Sequence, residues 1–466
     1  MNRKKLVIAL IAVANMAAVI SVGRADFSFY WRDQNYLRFE SRLYRSLDLN
    51  QNDRADTIGN DRVYSTFLLR MKPSMSLSDR LLIHSLFDAY VSPHTTKSQE
   101  SGALVGQQAT DNNNYGPSIG TLPRDVFGSS SGYGTSNLTS GDSNFLIKNL
   151  FMEYIGDWGI LKVGRIPRHW GLGIRYNAGL NAEDKFSDRT DSLFYELGLG
   201  NFKVAAIASK ILEGASLDTQ ADDTSLYEGY LNYIDPELDW NVGFLYSWMK
   251  QSRNFIELNI LDGYITKKFK KLKTGLEFVT TFGDPGNTTE NGVSQLGVAA
   301  EVEFEWTPAL STFLKLGYAS GPDIDKNKTL TLFAFDRNYD IAFLMFNQGL
   351  GAISTQTGIS ANADPDVNAI FSAYYASLGG NYHFNDRIGS RFSLALAKSP
   401  KSLVAGGGKS WGEEVDLELW YKFLENWRFG LEGGVFFPGD LYEGASTQAQ
   451  QTDPAMGALL QATVSF

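Results

Sequence analysis

The sequence predicts an all-β fold, a transmembrane antiparallel up-and-down β-barrel of about eighteen strands with long outer loops and short periplasmic turns. Three observations carry this expectation. Strand-like segments are long, about 10–14 residues, and many alternate with period two. Their connections alternate between short and long. The last strand ends in an aromatic residue, Phe466.

The N-terminus reads Met1-Asn-Arg-Lys-Lys5, then an apolar run from Leu6 to Val22, then Gly23-Arg24-Ala25. A basic start, a short apolar core and small residues at the cleavage positions make a secretory signal peptide over 1–25. The alternative, a single membrane anchor, requires a longer run than this one, which Asn15 interrupts. The mature barrel then occupies 26–466.

Loss of Arg3, Lys4, Lys5 and Arg24 moves the net charge from −10 to −14, which argues against a nucleic-acid partner. With no cysteine there is no disulfide, thiol nucleophile or thiolate metal site. No remaining segment holds 18 uninterrupted apolar residues, so helical spans are excluded. Aromatic residues at 13% and 45 glycines suit a barrel, which needs apolar and aromatic residues at alternate positions and glycine at turns.

The strand segments fall near 34–47, 60–73, 79–92, 143–156, 158–168, 190–199, 201–212, 224–235 and 239–250. They continue near 253–267, 271–283, 295–307, 310–320, 370–384, 387–398, 411–423, 426–437 and 456–466. The clearest alternation sets Val415, Leu417, Leu419, Tyr421 and Phe423 against Glu414, Asp416, Glu418 and Lys422. Trp427, Phe429, Leu431 and Val435 likewise oppose Arg428 and Glu432, and Val298, Ala300, Val302, Phe304 and Trp306 oppose Glu301, Glu303 and Glu305. A soluble β-sandwich would alternate too, but with strands of about five or six residues. Strands about twice that length match a tilted path across hydrocarbon.

Short connections are expected at Pro73–Ser78, Asp157, Gly200, Asp235–Leu238, Phe269–Lys270, Pro308–Ala309, Asn385–Asp386 and Leu424–Glu425. Long ones are expected at 93–142, 169–189, 284–294, 321–369, 399–410 and 438–455, while 251–252 breaks the alternation. An even strand number leaves no unpaired edge in lipid. In the last strand Ala458, Leu460, Ala462, Val464 and Phe466 share one face and Gln461, Thr463 and Ser465 the other. The terminal aromatic resembles the signal read by the barrel assembly machinery. Residues 93–142, rich in Ser, Gly, Asn and Thr, read as a solvated or disordered outer loop. Residues 321–369 contain an apolar stretch, Leu330–Leu350, expected to fold over or into the pore as a constriction or lid.

No residue pattern reads as an enzyme. His84, His94, His169 and His383 show no zinc-ligand spacing, and neither a catalytic group nor a cofactor is expected. The 321–327 segment offers Asp323 and Asp325 to calcium, but it lacks the glycine and terminal glutamate of an EF-hand and reads as a plain acidic loop.

Arginine is unevenly spread: of twenty, thirteen lie between residues 26 and 200. Arg38 and Arg42 oppose Leu37, Phe39 and Leu43, and Arg62 and Arg70 oppose Val63, Phe67 and Leu69. A wall lined with planar, permanently charged guanidiniums can pass or bind an anionic solute. Equally, these arginines can pair across the lumen with carboxylates of the second half, Glu301, Glu303, Glu305, Glu414, Asp416, Glu418 and Glu432.

The stretch Lys162-Val-Gly-Arg-Ile-Pro-Arg-His-Trp-Gly-Leu-Gly-Ile174 resembles a strand-to-loop segment of the alginate-export family of outer-membrane porins. So do Gly317-Tyr-Ala-Ser-Gly-Pro322, Gly412-Glu-Glu-Val-Asp-Leu-Glu-Leu-Trp-Tyr-Lys422 and Phe436-Phe-Pro-Gly-Asp440. This resemblance implies an 18-stranded barrel and passive export of a polyuronate, or uptake of a small solute, through an arginine-lined constriction. It places Arg165, Arg168 and Arg175 there. The acidic C-terminal wall opposes a polyanion.

The expected function is therefore an outer-membrane channel for diffusion or export of hydrophilic solutes, anionic ones included. Its partners would be outer-membrane lipid, the assembly machinery and a hydrophilic solute or polysaccharide, and both termini would be periplasmic. The alternatives are a barrel acting as receptor or adhesin through its loops, and a general porin without specific cargo.

Overall fold

The computed structural model describes residues 28–31, 35–46, 62–91, 144–179, 184, 188–212, 224–251, 255–286, 291–322, 329–347, 369–403, 408–442 and 453–466. The signal-peptide segment, the 93–142 loop, His94 and the Asp323/Asp325 pair lie outside them, as does the Arg62 side chain.

The described strands form one closed antiparallel sheet. Its first half comprises β1 (Tyr36–Arg45), β2 (Arg62–Met71), β3 (Leu81–Val91), β4 (Asn144–Gly156), β5 (Gly159–Pro167), β6 (Arg189–Leu199), β7 (Phe202–Leu212), β8 (Thr224–Asp235) and β9 (Trp240–Gln251). The second comprises β10 (Ile256–Phe269), β11 (Leu272–Asp284), β12 (Gly292–Thr307), β13 (Leu310–Ala319), β14 (Ala373–His383), β15 (Ile388–Lys398), β16 (Ser410–Leu424), β17 (Trp427–Pro438) and β18 (Ala455–Ser465). Neighbours in sequence pair throughout, and β1 closes on β18 with Tyr36 opposite Ser465 and Arg45 opposite Met456. The barrel therefore has eighteen strands, as expected. Three short pieces add to it: Ser28–Trp31 and Pro73–Ser78, which pair with each other and prolong β1 and β2, and Thr329–Leu330, which pairs with β12.

The face assignments hold. On β16, Leu417 is 50% exposed on the exterior, while its neighbour one strand position away, Asp416, and Glu414 are buried inside. Leu431, Leu460 and Leu378 continue the exterior apolar band. Such an exterior suits hydrocarbon, and the ring of ladders leaves no open edge in it. Phe466 stands on the exterior row, and its N–H still donates to the Asn35 carbonyl at 3.0 Å.

Two expectations need correction. Pro73–Ser78 is strand rather than turn, and the reversal falls at Asp79-Arg80. Proline is tolerated at the first position of a strand, and the Lys72 N–H just before it is taken by the Asn35 side chain at 2.6 Å. The connection after Gln251 does not break the alternation; it reaches the long-loop end as the topology demands, but spans only residues 252–255.

Empty, a barrel of this size would hold a wide aqueous lumen. Here two connections at the long-loop end turn inward. Residues 168–179, between β5 and β6, and residues 331–347, between β13 and β14, supply much of two buried apolar clusters inside the wall. The described part of the 321–369 loop thus lies in the lumen, as its apolar character predicts.

Candidate functional site

The 168–179 loop makes a tight reversal. Gly171 and Gly173 adopt φ values of 55° and 87°, the left-handed region that glycine tolerates. A Cβ on Gly171 would come within 2.5 Å of a Glu277 carboxylate oxygen. That oxygen accepts the N–H groups of Leu172 and Gly173, the latter at 3.0 Å, and so fixes the tip to β11.

Ion pairs fix the two sides. Arg168 lies 2.6 Å and Arg175 3.5 Å from the Glu228 carboxylate on β8. Arg175 also donates to Ser247, and Tyr176 donates to Glu228 at 2.8 Å. Burial pushes the Tyr176 phenol well above its ordinary value, so it remains a donor. At the base, Arg70 donates to the Gly179 carbonyl and holds Asp88 through two bonds of 2.7 and 2.8 Å.

The 331–347 loop is held mainly by apolar contact. Phe333, Phe335, Phe343 and Phe346 pack with Tyr375, Phe371 and Trp411 of the wall region. Glu414 on β16 accepts the N–H groups of Leu344 and Met345 at 2.5 and 2.6 Å. The two loops touch where the Asp336 N–H donates to the Ile174 carbonyl at 2.8 Å.

Cavities lie beside these loops, and two of them matter here. A larger one of about 610 Å³ opens toward the short-turn end and includes Leu172, Lys267, Lys273, Glu301, Glu303 and Phe313. A smaller one of about 260 Å³ lies under the second loop and includes Glu40, Arg42, Asp340, Asp416 and Glu418. Lys315 on β13 and Arg391 on β15 line both, so these two cations stand between the chambers. Lys315 pairs with Glu301 at 3.2 Å and donates to the Asp340 carbonyl. Arg391 sits 4.5 Å over the Phe313 ring and, among the described residues, forms no ion pair with a carboxylate.

The sequence-derived candidates sort differently from expectation. The described arginines among them pair, but with carboxylates of their own half. Arg38 and Arg42 flank Glu40 at 3.1 and 2.7 Å, and Arg165 holds Asp191 at 2.8 Å. Four of the second-half carboxylates proposed as their partners are engaged elsewhere: Glu303 with Lys273, Glu418 with Arg428, and Glu301 and Glu414 as above. Asp416 lies 3.4 Å from the Ser393 hydroxyl. The reason is geometric, because adjacent strands bring side chains within reach while opposite walls are separated by the inward loops. Arg168 and Arg175 anchor a loop, and Arg391 carried no signal beyond being one of the few arginines in an acidic half.

A Ser74–His84–Glu153 row also lies in the wall, with Ser74 Oγ 3.1 Å from His84 Nδ1 and Glu153 3.9 Å from Nε2. Ser74 and His84 are only 2% and 3% exposed, so the row is internal to the wall and its hydroxyl is shielded. Among the described residues no three His, Asp or Glu side chains converge as metal ligands.

No family model matches the chain. No curated protein matches it. Solved structures do. OccK9 (OpdG) of Pseudomonas aeruginosa is 8% identical with a TM-score of 0.55, over 95% of this chain and 99% of that one. The outer membrane protein opdK of the same organism is 10% identical with a TM-score of 0.53, over 92% and 97%. OccK2 (OpdF), solved in complex with glucuronate, is 10% identical with a TM-score of 0.52, over 95% and 98%. At these identities the similarity is one of fold: this chain shares the barrel architecture of those Pseudomonas proteins over nearly its whole length.

Proposed function

We propose that this protein is an outer-membrane channel that lets small hydrophilic solutes diffuse through a throat beside Lys315 and Arg391. The observation that supports this reading is that two loops folded into the barrel leave two chambers that share Lys315 and Arg391 in their walls. A solute passing there would meet Lys315 and Arg391 together with the carboxylates that line the two chambers. Arg391, without a carboxylate partner among the described residues, favours solutes bearing a carboxylate, whose two oxygens match a guanidinium fork. The glucuronate in OccK2 is a ligand of that type, bound to a barrel of the same fold.

Glu301, Glu303, Asp416 and Glu418, which line the same chambers, oppose a polyanion and so favour monomeric solutes over a polyuronate chain. In this reading residues 1–25 are a signal peptide, both termini are periplasmic, and Phe466 belongs to the signal handed to the assembly machinery. Purified protein in a planar bilayer is expected to give stepwise conductance that a small uronate reduces. Silence at every voltage would end the channel reading and favour a loop-based receptor.

A further inference from the structure

The hairpin joining β10 to β11 differs in charge from the other described short turns. Residues 267–273 hold five lysines and no acid, in the run Lys267-Lys268-Phe269-Lys270-Lys271-Leu272-Lys273. The other short turns carry Asp79, Asp157, Glu237 with Asp239, Asp386 or Glu425, or no charge at all. Glu303 takes up Lys273. Among the described residues, Lys267, Lys268, Lys270 and Lys271 form no ion pair.

Alternation puts Lys267 on the exterior of the barrel. It shares a face with Phe269, which is 50% exposed, and stands opposite Trp240 of β9. Its ammonium lies 4.4 Å from the Trp240 ring centre and 5.0 Å from that of Phe269, and it donates to the Leu238 carbonyl. Lys271 donates to the Trp306 carbonyl at 3.0 Å. An ammonium has three donors, so one carbonyl leaves capacity on each. Asp235 on the neighbouring turn acts on Lys267 at longer range, but it already accepts from Tyr233 and from the Glu237 and Leu238 N–H groups. Trp306 beside the hairpin is 55% exposed, and Leu276 and Val302 continue the apolar exterior toward the middle of the barrel. A lysine on a lipid-facing wall costs least at the level of such an aromatic girdle.

We propose that this hairpin holds an anionic phospholipid, with Lys267, Lys270 and Lys271 around the headgroup phosphate and the acyl chains along Leu276 and Val302. Place argues for a lipid. The lysines stand where aromatic rings meet the apolar band, and a soluble anion gains nothing from that band. Charge argues for a headgroup that is net negative, since one with its own ammonium brings a further cation to a cluster of them. Each lysine near a bilayer surface adds to the attraction for anionic lipid, and a cluster of four or more sums that attraction. The site requires that the barrel stands in a membrane, as proposed above, and nothing of what it conducts.

The test titrates purified, lipid-free protein in neutral detergent with dioleoylphosphatidylglycerol or dioleoylphosphatidylcholine, counting bound lipid by native mass spectrometry. The phosphatidylglycerol should bind about 5- to 10-fold more tightly, the order expected of one or two lysines at a headgroup. Replacing the three together, Lys267→Gln, Lys270→Gln and Lys271→Gln, should bring that ratio below about two-fold. Lys270→Gln alone, at the turn tip, should lower it in part. Arg80→Gln with Arg387→Gln, at two other short turns, should leave it unchanged. Equal wild-type affinity for the two lipids would overturn the proposal, and so would a preference that survives in the triple variant. A preference lost as fully in the Arg80 and Arg387 variant would assign it to overall charge and overturn it equally.

Discussion

The two inward loops occupy one lumen by opposite chemistry. Residues 168–179 are held by charge, with Arg168, Arg175 and Tyr176 converging on Glu228 and the tip hydrogen-bonded to Glu277. Residues 331–347 are held by apolar area, with four phenylalanines packed among Tyr375, Phe371 and Trp411. Yet each rests on one buried glutamate that accepts two consecutive backbone N–H groups, Glu277 for the first and Glu414 for the second. A loop inside a barrel has unsatisfied donors wherever it reverses, and a wall carboxylate satisfies two at once. The rest of each loop is then free to be polar or apolar.

The charged anchor should be the more brittle. Glu228→Ala leaves two buried guanidiniums facing each other, and loss of one partner from a buried pair costs about 3–5 kcal/mol. We expect the upper end of that range in denaturant unfolding. Residues 168–179 should also become open to protease, and single-channel conductance should rise. Phe335→Ala, at a fully buried ring of the apolar loop, should cost about 3–4 kcal/mol. Neighbouring rings can relax into its space, so conductance should rise less than in Glu228→Ala. An equal rise would mean that both loops limit the passage alike.

The same contrast explains what could be read from sequence. Period-two alternation makes the strands and their faces legible, because a membrane exterior and a wet interior impose opposite demands on neighbouring residues such as Asp416 and Leu417. The apolar loop was legible too, since Phe333 and Phe343 could not rest in solvent. The charged loop was not. Arg168 and Arg175 have the composition of a pore lining, and only the third dimension shows Glu228 between them. Pro73–Ser78 misled for a local reason: proline and serine spell a turn, while the pairing of Ser28–Trp31 with this segment depends on residues far away in sequence.

Selectivity gives the next comparison, between a throat cation and a paired one. Arg391→Ala should lower the anion-to-cation permeability ratio about two- to five-fold, the effect of about 0.5–1 kcal/mol at a solvated unit charge. It would be read as a reversal potential in a salt gradient. Arg165→Ala should shift it less, because Asp191 already offsets that charge and the pair lies outside both chambers. A larger shift for Arg165 than for Arg391 would move the selective section toward the long-loop end.

The smallest effect is expected at Lys273. Its ammonium lies 2.9 Å from Glu303 in the larger chamber, with the side chains 53% and 36% exposed. An exposed pair of this kind contributes under about 1 kcal/mol, so Lys273→Ala should leave unfolding nearly unchanged. It does free the Glu303 charge, but in a wide, wet chamber where salt screens it within about 10 Å at 0.1 M. The reversal potential should therefore shift toward cations only at low salt, and return to the wild-type value as salt is raised. A shift that survives high salt and equals that of Arg391→Ala would place the selective section in the wide chamber and not where Lys315 and Arg391 meet.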